Sequence, residues 1–216
     1  EQLRMNLNQD LNEIFQNAYI MTFETRELAK GYLESIQPKF KVGKLFAKKK
    51  TKEEREKRLE IFLNDIQERV KTEMVWHVRR LLINRLNDYQ IEDSALTQTI
   101  QDFNVNVTEG DLKKSVNPSA EVNSNSVLIY TNQLHKNLSQ LVKQKAAPIM
   151  SELEELVTDN LQEKVNGINE KVHLIEGELE QFNELENLEH QQIQLSNEIK
   201  DQTFTHSYSS NEHIEQ

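Results

Sequence analysis

The chain has 216 residues and a formal net charge of −10, with 36% hydrophobic and 29% charged residues. Compact globular domains carry more apolar residues, about 45–50%, so little core is buried per residue here and long, thin helical packing fits better. Cysteine is absent, which excludes disulfides, thiolate catalysis and Cys-ligated zinc and points to a reducing compartment. Only 5 Gly and 3 Pro argue against a turn-rich sheet protein. No apolar run approaches the ~20 residues that cross a bilayer, and no signal peptide opens the chain. Glu1 rather than Met opens it, already inside a helical pattern, which reads as a piece of a longer protein.

In chain order, Leu3, Leu7, Leu11, Ile14 and Ala18 recur at three- and four-residue steps and predict a first helix. Thr22 is an N-cap candidate for a second, with Leu28, Tyr32 and Ile36 on its inner face and Pro38 ending it. The run TKEE at 51–54 has the form of a capping box, Thr51 capping and Glu54 reaching back. From there Leu59, Phe62, Leu63, Ile66, Val70, Met74, His77 and Leu81 keep the helical period to about Asp88, a helix of about 37 residues or ~55 Å. His77 falls on the apolar stripe and is expected in the core. Val75, Val78, Leu82, Ile83 and Leu86 add a second apolar face near Trp76, as in a bundle of three or more helices.

Residues 104–126, rich in Asn and Ser, read as a connector. A second long helix is predicted from about Val127 to Lys200, with Pro148 as a kink. Within it Leu161, Val165, Ile168, Val172, Ile175, Leu179 and Phe182 alternate steps of four and three. That is a coiled-coil-like seam, either one stripe of an antiparallel bundle or a surface for self-association. Residues 201–216 lack any period and are expected to be a flexible tail. The expected fold is therefore all-α, an elongated antiparallel helical bundle over residues 1–200.

Enzyme chemistry is hard to place. No phosphate-binding loop, HExxH, GxSxG or EF-hand pattern occurs, and the six histidines are scattered. Residues 151–200 hold thirteen acidic residues against Lys164, Lys171 and Lys200. A carboxylate pair in such a crowd is expected to be a solvated face rather than an acid/base site. No catalytic residue, metal ligand or cofactor is assigned to this chain.

One segment departs from the rest. Residues 38–58 contain ten Lys or Arg against Glu53, Glu54 and Glu56, a net of +7, which leaves −17 for the remainder of a chain totalling −10. Phe40, Val42, Leu45 and Phe46 alternate with Lys41, Lys44, Lys48, Lys49 and Lys50. An exposed loop of this composition inserts its apolar side chains at a headgroup boundary while its lysines face anionic lipid, each lysine contributing about 1 kcal/mol. The same apolar residues could instead fold back on the bundle, or the patch could dock on an acidic protein. Nucleic acid is disfavoured, because the −17 elsewhere repels a polyanion and no basic stripe continues along the helices.

The stretches MTFETRELAKGYLES (21–35) and PKFKVGKLFAKKKTKEEREKR (38–58), with Trp76–His77 beyond them, resemble the helical region of the large bacterial dynamin-like proteins of Bacillus-type Firmicutes. The resemblance is good over roughly 20–90 and rests on helical character alone beyond. It implies a helical stalk whose tip, Phe40 to Lys50, touches an anionic membrane at the cytoplasmic face of the cell. It also implies a GTPase head elsewhere in the parent protein, carrying GTP and Mg, to which no residue of this chain corresponds. The alternative is a helical scaffold that binds proteins and not lipid.

Overall fold

The structure is a computed structural model that describes residues 2–212. All regular structure among them is helical: α1 (Gln2–Asn17), α2 (Phe23–Ser35), α3 (Ala47–Val70), a π-helical turn (Lys71–Val75), α4 (Trp76–Asp88), α5 (Ser94–Asp102), α6 (Glu109–Lys113) and α7 (Ser124–Glu212). The chain divides into two compact units, residues 1–159 and 160–216.

The first unit holds one continuous core. Thr22 caps α2 as its sequence position predicts, its hydroxyl oxygen accepting the Thr25 N–H. The Thr25 hydroxyl in turn donates to Asp65 on α3 at 2.7 Å. Leu7, Leu11 and Phe15 from α1 and Ala29, Tyr32 and Leu33 from α2 are buried against the long helical run α3–α4. The proximal part of α7 closes the core with Val127, Tyr130, Leu134, Leu138 and Val142. At its centre Tyr32, Phe62 and Tyr130 form an aromatic trio with centroid separations of 5.5 to 6.5 Å. The Tyr130 hydroxyl donates to the Leu112 carbonyl, whereas the Tyr32 hydroxyl is buried without a partner.

The π turn resolves a problem set by the sequence. Phe62, Ile66, Val70, Met74, Val78, Leu82 and Leu86 are all buried and all four residues apart. In an α-helix each such step overshoots a full turn by ~40°, so the stripe would rotate by ~240° across six steps. One π turn accommodates an extra residue and takes back ~100°. The buried stripe then runs through Met74 and Val75 to Val78, and Trp76 and His77 face outward. His77 is therefore not the core residue that an unbroken α-period predicts.

Residues 104–126 are less of a bare connector than their composition implies. Val105 and Val107 are buried, and the Gln67 side chain donates to the Val105 carbonyl and accepts the Val107 N–H. Arg79 donates to the Phe103 carbonyl at 2.6 Å. Thr108 and Asp111 form a capping box that starts α6, whose Leu112 is fully buried.

The second unit is the distal part of α7. Its seam residues, Leu161 to Phe182, are exposed. Helix continues through the stretch expected as a flexible tail as far as Glu212, and residues 213–216 lie outside the described residues. A helix with no apolar face, as over residues 201–212, carries no such period to read.

Candidate membrane-contacting tip

The tip is the junction between α2 and α3. Helix α2 ends at Ser35, three residues before Pro38, and α3 begins at Ala47 rather than at Thr51. The expected capping box is not formed. Lys48, Lys49 and Lys50 continue from Ala47 as good helix formers, so the helix starts a turn earlier. Thr51 takes another role: from inside the helix its hydroxyl oxygen accepts the Val42 N–H at 2.9 Å and ties the loop down.

That loop turns twice through left-handed backbone, at Gly43 (φ 80°) and at Phe46 (φ 55°). Glycine tolerates this freely, but for phenylalanine it costs about 1–2 kcal/mol. Phe46 also occupies the N-cap position of α3, where it offers no side-chain hydrogen bond in place of the Ser, Thr, Asp or Asn preferred there. In return its ring points into solvent.

The four apolar residues of the loop separate into two pairs. Leu45 and Phe46 are 78% and 80% exposed. Phe40 and Val42 are half-buried, and the Phe40 ring lies 5.0 Å from the Arg58 guanidinium and 5.9 Å from that of Arg55. The cations divide as well. Lys41, Lys44, Lys48, Lys49 and Lys50 are exposed, and the pairs Lys49–Glu53 and Lys52–Glu56, at 3.9 and 3.7 Å, are solvated and contribute little. Arg55 and Arg58 instead serve the fold. Arg55 donates to the Ser35 and Gln37 carbonyls, and Arg58 donates to the Gly31 carbonyl and pairs with Glu34 and Glu54. These contacts neutralise the carbonyl end of α2. Composition alone did not reveal this division. The signal available was two arginines among lysines, since guanidinium groups bridge several acceptors at once.

Among the described residues no group of His, Cys, Asp or Glu is arranged to hold a metal ion, and no helix is long and apolar enough to cross a membrane.

With this geometry in place, the comparisons agree with the sequence resemblance. The chain is a relative of the large bacterial dynamin-like proteins. Dynamin-like protein A of Bacillus subtilis (strain 168) is 31% identical over 163 residues, covering 76% of this chain and 14% of that protein's length. No family model and no solved structure matches the sequence.

Proposed function

We propose that this chain is the membrane-contacting part of the helical stalk of a dynamin-like GTPase that remodels, tethers or fuses membranes. The GTPase head, with its GTP and Mg, would lie outside the chain. Leu45 and Phe46 carry this reading: two large apolar side chains held almost fully in solvent, one of them on strained backbone, and ringed by lysines in an otherwise acidic chain. Burying each at a lipid boundary yields roughly 1.5–3 kcal/mol, and five lysines add about 1 kcal/mol each against anionic headgroups. The sum supports reversible, peripheral binding at the anionic inner face of the cell membrane. Phe40 and Val42 would support the loop and Leu45 and Phe46 would enter the lipid.

Self-association through α7 belongs to the same proposal. A second copy laid parallel and in register along the seam sets Lys171 beside the partner's Glu176, an attractive flank to an apolar interface.

The test is co-sedimentation with phosphatidylglycerol-containing and neutral vesicles at low and high salt, comparing the chain with Leu45→Ser/Phe46→Ser. The parent should pellet with anionic vesicles, and the double variant should lose at least ten-fold in affinity at unchanged thermal stability. Equal pelleting of the two would remove the tip from the reading. If neither pellets, the scaffold alternative leads, supported by the exposed seam of α7.

A further inference from the structure

The tip also contains a concave feature, lined by neither Leu45 nor Phe46. Between residues 38–41 and the first turns of α3 lies a groove of about 1020 Å³. Its walls carry Lys41, Lys48, Lys49, Lys52 and Arg55, and no carboxylate lines it. The Phe40 ring forms its apolar side, held by Arg55 and Arg58. Lys49 and Lys52 have solvated partners in Glu53 and Glu56, which leaves Lys41, Lys48 and Arg55 to repel one another around the concavity unless an anion screens them.

A second observation comes from Thr51, which lines the groove and is only 8% exposed. Its oxygen accepts the Val42 N–H, but its own proton has no acceptor among the described residues. A buried hydroxyl with an unused donor costs about 1–3 kcal/mol, and an acceptor in the groove would satisfy it. Arg55 uses its Nε and one terminal nitrogen on the Ser35 and Gln37 carbonyls, and its second terminal nitrogen is left to donate.

We infer that this groove is a phosphate-binding site. A phosphate ester there would accept from Thr51 Oγ1–H and Arg55 and be flanked by Lys48 and Lys52, its organic part against Phe40. The volume exceeds that of bare phosphate and suits a phosphorylated headgroup. This deepens the proposed function and rests on it for the source of the phosphate: a glycerophospholipid whose headgroup sits in the groove while Leu45 and Phe46 enter the acyl region. Tip binding would then be saturable and stereochemically defined, not a diffuse attraction of charge to charge.

The experiment has two arms on the same variants. The first titrates inorganic phosphate, and then monomeric dihexanoyl phosphatidylglycerol, into labelled chain and follows the amide and methyl resonances of Thr51. The second measures affinity for phosphatidylglycerol vesicles. The variants are Lys48→Gln/Lys52→Gln, Thr51→Val, and Lys57→Gln/Lys71→Gln as a charge-matched control pair of exposed lysines that do not line the groove. A saturable Thr51 shift is expected in the parent chain and is lost in the groove pair, with vesicle affinity falling in Thr51→Val, at least ten-fold in the groove pair and no more than about three-fold in the control pair. Equal losses in the two pairs, or Thr51 shifts that never saturate, would overturn the site. Should phosphate saturate Thr51 while vesicles fail to bind the parent chain, the site stands and takes a soluble phosphate, and it is the membrane reading that falls. Val at position 51 also removes the Val42 tie, so the groove pair, which leaves that bond intact, keeps the test valid if Thr51→Val loosens the loop.

Discussion

Two apolar stripes of similar length meet opposite fates in this molecule. Along α3 and α4, Phe62, Ile66, Val70, Met74, Val78, Leu82 and Leu86 are at most 2% exposed. Along the distal part of α7, Leu161, Val165, Ile168, Val172, Ile175, Leu179 and Phe182 are 44–64% exposed. The apolar run continues, as Leu185, Leu188, Leu195 and Ile199, after consecutive steps of three from Leu179 to Leu188 that set the heptad phase back by one residue. Regular spacing thus reports that a helix face is apolar, and says nothing of what covers it. The irregular stripe, which needs a π turn to stay in phase, is the better buried of the two.

Substitution on each stripe separates them most sharply. Phe62 is fully buried in the aromatic trio, so Phe62→Ala should destabilise the first unit by about 3–5 kcal/mol. Phe182→Ala should leave that unit's stability within about 0.5 kcal/mol. The single tryptophan, Trp76, lies in the first unit, so its fluorescence during urea unfolding reads that unit alone. A loss above 1 kcal/mol at Phe182 would show that the two stripes share one cooperative structure.

Alkaline pH probes the same core from another side. Burial pushes the Tyr32 phenol up to about 12, with the Glu109 charge adding to it. Burial, and secondarily Tyr32, raises Tyr130 further. The unfolded chain releases these protons near pH 10. The folded state therefore binds more protons above that pH, and the contribution present below about pH 10 is lost as pH rises toward 12, by about 1.4 kcal/mol per pH unit for each phenol. Tyr32→Phe should shallow this fall, and should not destabilise at neutral pH, since the hydroxyl it removes has no partner. An unchanged alkaline slope would place the loss elsewhere in the molecule.

The same contrast explains what was legible in the sequence. The Thr22 cap, the helix breaker Pro38 and the long apolar periods could all be read, because each acts through neighbours three or four residues away. An unbroken α-period misplaces His77 because a π turn leaves no residue-type signature, only a phase change visible once burial is known. The TKEE run predicts Thr51 as a cap, but the helix formers before it extend the helix and leave its hydroxyl to Val42. The short helices α5 and α6 have local signals, Asp93 accepting from the Leu96 N–H and the Thr108–Asp111 box, yet they are too brief for a period. At the tip the charge segregation was plain. Which apolar pair faces outward was not, since that depends on Arg55 and Arg58 reaching back to α2 across the loop.

The smallest effect concerns Phe46. Its left-handed backbone (φ 55°) suits glycine, so Phe46→Gly should raise the stability of the first unit by up to about 1 kcal/mol, the strain relieved less the extra entropy of a flexible glycine. On the buried stripe, removing an aromatic ring destabilises the fold. Here the ring contributes nothing to the fold, being 80% exposed, and the backbone that displays it is a cost. A paired measurement makes the point: urea unfolding should show the variant at least as stable as the parent, while vesicle binding should weaken about ten-fold. A clear loss of stability instead would mean that Phe46 packs on its own loop, and that its exposure is not held in reserve for a membrane.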